Sequence, residues 1–150
     1  MRKWQILASI FALLVVCDQA KAGDKEDVLA SWNAIKAAWI AGDVEAALKH
    51  MLPELKTFGA DGSLLSPLDF EGSKAAFAAG LKFNVQSAHS DVTVYGDAAI
   101  LTEYIMRQLT PPGGTLVSMT LRATLVMVKQ KGQWKGVHGH FSYLTPTNPE

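Results

Sequence analysis

The sequence is poor in cysteine and has no excess of charge. Cys17 is the one cysteine among 150 residues, so the chain alone cannot form an internal disulfide. Lysine plus arginine and aspartate plus glutamate each number 14, without a long basic run. Because binding to a phosphate backbone needs excess positive charge, we expect no nucleic-acid partner. The length allows one domain with a sizeable hydrophobic core.

Long hydrophobic runs are also lacking, apart from one near the start of the sequence. Residues 2–3 are basic, residues 4–16 are apolar except for Gln5 and Ser9, and residues 20–22 read Ala-Lys-Ala. The apolar run is shorter than the roughly 20 residues that a membrane-spanning helix needs. A basic start, a short apolar run and small residues at the cleavage positions are typical of a secretory signal peptide.

We therefore expect residues 1–22 to be a signal peptide and residues 23–150 to form a periplasmic or secreted domain. Lipoprotein anchoring through Cys17 is an alternative, although Val16 is larger than the residue that usually precedes a lipidated cysteine. Cleavage after Ala22 would remove three basic residues and one acidic residue, which changes the net charge from zero to −2. Such a surface favours small-molecule or protein partners, with no membrane partner after cleavage.

The first half of the remaining sequence has helical periodicity. Val28, Trp32, Ile35 and Trp39 recur at spacings of four, three and four, which predicts a helix over 24–41 with one apolar face. Two further helices are predicted, at 44–51 and 73–83. A short strand or hairpin is predicted between them, at 55–66.

From residue 84 onwards the period is two, which predicts strands. Long strands are expected at 98–110, 116–129 and 134–144, after a shorter one that ends at the Gly96-Asp97 turn. Helices that come first and long antiparallel strands that follow are typical of an α+β fold.

Alternation within these strands predicts which face each residue occupies. On the last two strands the odd-numbered residues, among them Val137, should pack on the helices. The same parity on 98–110 turns Glu103 and Arg107 towards the helices. A carboxylate there must be paired, line a cavity or stay at the rim. The polar outer face would carry Arg122, Thr124, His138, His140 and Ser142.

Glu103 and Arg107 are the candidate catalytic residues. An apolar pocket would raise the pKa of Glu103 and make it a general base for proton abstraction. Arg107 would then bind a carboxylate or stabilise an enolate. The structural alternative is that the two side chains pair with each other or with water.

Two further groups of side chains have both functional and structural interpretations. His138 and His140 point the same way on a strand, as zinc ligands can, but a third ligand at matching spacing is not evident, so we expect no metal. Aromatic and aliphatic side chains of the apolar faces could line a ligand pocket or simply form the core. The candidate pocket residues are Trp32, Trp39, Phe58, Phe77, Leu101, Leu125 and Phe141.

An ordered set of short motifs resembles a known superfamily. The set comprises Ala-Gly-Asp at 41–43, Gly-Asp-Ala at 96–98, Arg-x-Thr at 122–124, Gly-x-Trp at 132–134 and His-x-His-x-Ser at 138–142. In this order it resembles the nuclear transport factor 2-like superfamily over residues 24–146, within it the SnoaL-like branch. The segment 134–142 is also similar to the association domain of calcium/calmodulin-dependent kinase II.

The resemblance implies a cone, in which a curved antiparallel sheet wraps around three helices from the N-terminal half of the chain. It also implies homodimers that form through the outer face of the sheet. Members range from isomerases, cyclases and dehydratases to binding and assembly modules, so the fold does not name the function. No catalytic aspartate of the enzymes maps onto this chain, and Phe141 stands where the association domains carry a pocket arginine.

We therefore expect the cone pocket to bind a small apolar or amphipathic molecule without a cofactor. One alternative is a cofactor-free isomerase, cyclase or dehydratase-type lyase with Glu103 as base. The other is a homo-oligomeric assembly module without a ligand.

Overall fold

The computed structural model describes residues 23–144 and shows an α+β fold with a six-stranded sheet. The predicted signal peptide and Cys17 lie outside the described residues. The helices are α1 (23–41), α2 (Val44–Leu48) and α3 (Phe70–Ala78). The strands are β1 (Met51–Phe58), β2 (Ser66–Pro67), β3 (Lys82–Tyr95), β4 (Ala98–Thr110), β5 (Val117–Gln130) and β6 (Gln133–Tyr143).

The predicted cone is confirmed: a curved, unclosed sheet partly encloses helices that precede most of its strands. The strand order is β2-β1-β6-β5-β4-β3. One feature differs from the antiparallel sheet that we predicted, because β1 pairs with β6 in parallel and the sheet is therefore mixed.

Helix α1 carries the predicted apolar face onto the sheet. Val28 is 0% exposed and Ile35 is 2% exposed, and both belong to the main hydrophobic core. Gly42 ends the helix with a positive φ of 72°, a conformation that glycine adopts without a Cβ penalty. Asp43 then caps α2 by accepting a hydrogen bond of 2.9 Å from the backbone nitrogen of Ala46.

The prediction that the second helix continues to residue 51 is wrong. It ends at Leu48, and Met51 already begins β1. Burial of Met51, Leu52 and Leu55 requires this segment to join the sheet, where it lies beside β6. The predicted hairpin exists, but its return strand is Ser66–Pro67.

The third helix is also displaced from the prediction. It covers Phe70–Ala78 because Asp69 caps it, accepting a hydrogen bond of 2.8 Å from the backbone nitrogen of Gly72. Gly80, at a φ of +104°, follows its end. None of its residues is fully buried, and Ala76 and Phe77 are half-buried.

Register shifts occur in three strand pairings, and those in β6 and β3 determine which of their side chains face inwards. In β6, Val126 of β5 pairs with His138 and Met127 pairs with Gly136, which leaves Val137 as the extra residue. Before Val137, the prediction that odd-numbered residues of β6 face inwards is therefore wrong. The even-numbered Trp134 and Gly136 are the buried residues there. After it, the odd-numbered residues face inwards as predicted, as Gly139 does opposite Leu125.

The second bulge lies in β3, where the register shifts between Ser87 and His89. Ala88 is the extra residue, so Ser87 and Ser90, three positions apart, both lie on the inner face. Bulges of this kind bend a strand and increase its twist, which suits a sheet that curves around a helix.

Candidate functional site

The candidate site is a cavity of about 310 Å³ between α1 and the inner face of the sheet. Its volume lies at the lower end of the range for small-molecule sites, which is about 300–1,000 Å³. Most of the lining is apolar, and it includes Trp32, Trp39, Leu55, Phe83, Ile105, Leu125 and Phe141. Such a lining favours the hydrocarbon part of a ligand.

Glycines on β6 leave room for this cavity. Gly136 and Gly139 both line it and are buried. A Cβ at Gly139 would lie 3.2 Å from Phe141 and 3.4 Å from Leu125, so a larger residue would crowd the lining. The inner face of β6 therefore contributes backbone where a side chain would reduce the space.

A buried polar cluster lies beside the cavity, centred on Glu103. Its carboxylate accepts hydrogen bonds from Trp32 Nε1 at 2.7 Å, from Ser90 Oγ at 2.7 Å and from Lys36 Nζ at 3.0 Å. Lys36 also contacts Ser87. The bulge at Ala88 makes this arrangement possible, because it turns both serines towards the same carboxylate.

These contacts determine the ionisation of Glu103. Burial acts to raise the pKa of its carboxyl group. Hydrogen bonds from Ser87, Trp32, Ser90 and Lys36 lower it by more, and the net pKa lies below its ordinary value. The side chain of Glu103 has no exposed surface, and the residue does not line the cavity. Glu103 is thus an ionised partner of Lys36 at neutral pH.

Arg107 has a different environment, although it lies four residues further along the same face of β4. It lines the cavity, and its Nη2 atom is 3.1 Å from the sulfur of Met119. Its Nε atom is buried and has no hydrogen-bond partner among the described residues. Burial lowers the pKa of the guanidinium, and electrostatic interaction with Tyr143 and Asp61 opposes this effect.

The predicted pocket residues divide into two groups. Trp32, Trp39, Leu125 and Phe141 line the cavity, and Phe58, Phe77 and Leu101 do not. Leu101 is a fully buried core residue. Phe77 packs on Trp39 from α3, with ring centroids 5.9 Å apart. Phe58 lies on the outer face of β1, because the neighbouring Thr57 occupies the inward position. Its ring is therefore exposed.

The residues predicted for the outer face of the sheet lie together on that face. Arg122 pairs with Ser142 and Thr124 pairs with His140 across the ladder between β5 and β6. The ring of Phe58 lies 5.8 Å from that of His138 and 5.5 Å from that of His140. Within residues 23–144, no three His, Cys, Asp or Glu side chains are grouped so that they could hold a metal ion.

Three residues of the polar cluster were not predicted from the sequence: Lys36, Ser87 and Ser90. Lys36 had a detectable signal, because it occurs at helical spacing within the apolar stripe formed by Trp32, Ile35 and Trp39. A lysine in a core-facing stripe requires a buried partner. The serines had no comparable signal, because their inward direction depends on the bulge.

Among the helices of residues 23–144, none is long and apolar enough to cross a membrane.

Comparison with known proteins agrees with the geometry of the fold. The model of the SnoaL-like domain matches residues 27–146. The comparison with curated proteins gave no match. Solved structures that are similar include a nuclear transport factor 2-like superfamily protein from Salmonella enterica serovar Typhimurium. It is 17% identical, with a TM-score of 0.71, over 85% of this chain and 95% of that one.

Two further similar structures have different descriptions. The association domain of calcium/calmodulin-dependent kinase II from C. elegans is 20% identical, with a TM-score of 0.66, over 82% of this chain and 98% of that one. A nuclear transport factor 2-like protein from Cytophaga hutchinsonii is 18% identical, with a TM-score of 0.68, over 80% and 98%. At these identities the similarity concerns the fold.

Proposed function

The chain belongs to the SnoaL-like family, and from this premise we propose that it binds one small apolar or amphipathic molecule in its cavity. The cavity itself supports the proposal most directly. It is lined by aromatic and aliphatic side chains, and Trp39 and Phe141 border the space without filling it. An assembly module without a ligand would have no need of such a space.

The alternative of a lyase with Glu103 as base has weaker support. A general base must reach the proton that it removes and must have a pKa suited to accepting it. Glu103 has no exposed side-chain surface, and its pKa is lowered. We therefore assign Glu103 to the buried cluster with Lys36, where it fixes α1 to β4.

A dye titration tests the proposed binding. Nile red, a neutral apolar dye, should bind the wild-type protein at micromolar concentration with increased fluorescence. Ala60→Trp places a large ring in the cavity lining and should weaken dye binding at least about tenfold. Ala30→Trp is the matched control, because Ala30 is exposed on α1 and does not line the cavity.

The result that would overturn the proposal is equally definite. If the dye does not bind the wild-type protein, or if both tryptophan variants bind it as the wild type does, the cavity is not a binding site. Circular dichroism spectra of the two variants show whether each retains its secondary structure. Native mass spectrometry would also report a small molecule retained from the host.

We propose in addition that two copies of the chain associate through the outer face of the sheet. Ile100, Tyr104 and Met106 of β4 are 42%, 45% and 49% exposed, and they pair across the ladder with Val126, Arg122 and Thr120 of β5. Exposed apolar side chains with polar neighbours are typical of protein interfaces. One protein of similar fold is described as an association domain.

Export is the remaining part of the proposal, and it rests on the sequence of residues 1–22. Intact-mass measurement on protein from the extracytoplasmic fraction should give a chain that starts at Gly23. A full-length mass, or a lipid-modified chain that starts at Cys17, would contradict it.

A further inference from the structure

The charged residues that border the cavity are all positive within residues 23–144. Lys36 and Arg107 border it, and no aspartate or glutamate does so within residues 23–144. Because Lys36 is already paired with Glu103, an uncharged ligand would leave the positive charge of Arg107 without a complement. The lining therefore favours a ligand that carries a negative charge.

Only one of the two permanently charged basic groups is neutralised by the protein. Lys36 forms its ion pair with Glu103 at 3.0 Å. Arg107 forms no ion pair with any carboxylate of residues 23–144. Asp61 influences Arg107 electrostatically, but its Oδ1 atom accepts a hydrogen bond of 3.1 Å from the backbone nitrogen of Ser63, and the residue is exposed.

The guanidinium group of Arg107 is incompletely hydrogen-bonded by its immediate surroundings. Arg107 lies on β4, where it pairs with Val85 of β3 on one side and with Met119 of β5 on the other. Its Nη2 atom has a thioether as partner, and its buried Nε atom has none. A guanidinium presents its N–H groups in a planar fork that matches the two oxygens of a carboxylate.

We propose that the ligand is an amphipathic monocarboxylic acid, with its carboxylate on Arg107 and its apolar body along Trp39, Phe83 and Phe141. This inference rests on the proposed binding function and specifies the class of ligand. The volume of about 310 Å³ restricts the body to a medium-length chain or a small ring system. Burial lowers the pKa of the Arg107 guanidinium, which is the direction expected for a charge with incomplete solvation.

The test compares octanoic acid with 1-octanol, which have the same chain length and differ in the charged head group. Each is titrated at pH 8 against the protein loaded with Nile red. The wild type should bind octanoate at least about tenfold more tightly than octanol. Arg107→Met, which removes the charge but keeps an unbranched side chain, should weaken octanoate binding roughly 10- to 100-fold. Octanol binding should stay within about twofold.

Two variants complete the design. Arg107→Lys retains the charge without the planar fork, so its preference for octanoate should be intermediate. Lys25→Met is the matched control, because it also removes one positive charge and Lys25 is exposed on α1 outside the cavity lining. This variant should keep the wild-type preference. If Arg107→Met does not fold, the comparison of Arg107→Lys with the wild type decides.

The outcomes separate this inference from the function on which it rests. If octanoate and octanol displace Nile red equally well from the wild type, or if Arg107→Met weakens both alike, the assignment of an acid to Arg107 is overturned. The cavity would then still be a binding site for apolar molecules. If neither compound nor the dye binds, both proposals fail.

Discussion

Trp32 Nε1 on α1 donates a hydrogen bond to Glu103 Oε2 on β4 across 2.7 Å. The same carboxylate accepts a hydrogen bond of 3.0 Å from Lys36 Nζ, one helical turn further along α1. These two contacts fix the rotation of α1 against the sheet from within the core. They also keep Trp32 and Lys36 in place at the edge of the cavity, so the polar cluster contributes to the shape of the cavity.

The pairing of Lys36 with Glu103 should be visible in the stability of the protein. Lys36→Met leaves a buried carboxylate unpaired and should lower the free energy of unfolding by about 3–5 kcal/mol. The double variant Lys36→Met/Glu103→Gln should lose less than the sum of the two single losses, because neither charge remains. Urea unfolding at one fixed protein concentration measures both quantities.

Lys25→Met serves as the control for this prediction. Lys25 is exposed on the same helix, and its replacement should change the stability by less than about 0.5 kcal/mol. Additive losses in the double variant would show that Lys36 and Glu103 are not energetically coupled.

The lowered pKa of Glu103 predicts an acid-dependent contribution to stability. Because the folded state favours the ionised carboxylate, this contribution is fully present above the unfolded-state pKa of about 4.3. It is lost as the pH falls through the lower pKa of the folded state. Glu103→Gln should therefore be less stable than the wild type at pH 7, and the difference should shrink below about pH 4. A difference in unfolding free energy that stays constant from pH 7 to pH 3 would contradict the assignment.

The parts of the fold that depend on local periodicity could be predicted from the sequence. The stripe of Val28, Trp32 and Ile35 predicted the face of α1 correctly, and strand β4 has the predicted bounds. Parity also predicted the inward direction of Glu103 correctly. These successes have one physical cause, which is that a regular element repeats its burial pattern along the chain.

The parts that depend on contacts between distant residues could not be predicted. Strands β3 and β6 interrupt their alternation at Ala88 and Val137, and an extra residue in a ladder has no distinct signature in composition. The helical prediction at residue 51 failed because local propensity was overridden by pairing with β6, 85 residues further on at Gly136. Ser87 and Ser90 escaped detection for a related reason, because their shared inward direction depends on the bulge at Ala88.

Trp134 anchors the start of β6, and its removal should be costly. Its side chain is 3% exposed within the main core, and Ser31 of α1 donates a hydrogen bond of 2.7 Å to its carbonyl. Trp134→Ala should lower the free energy of unfolding by about 3–5 kcal/mol, because it leaves a large cavity. Tyr95→Ala is the control, since Tyr95 is 66% exposed and should lose less than about 1 kcal/mol. Equal losses in the two variants would contradict the anchoring role.

Reversal of the charge at Arg122 tests the proposed dimer. In a twofold interface on the outer face, each copy contributes the same patch, so one substitution alters the interface twice. Arg122→Glu introduces two carboxylates next to the apolar patch around Tyr104, which pairs with Arg122 across the ladder. Light scattering at micromolar concentration should give the mass of a dimer for the wild type and that of a monomer for this variant. Lys25→Glu changes the charge equally at an exposed position on α1 and should remain dimeric. A wild-type monomer, or a dimer that persists in Arg122→Glu, would exclude the outer face as the site of association.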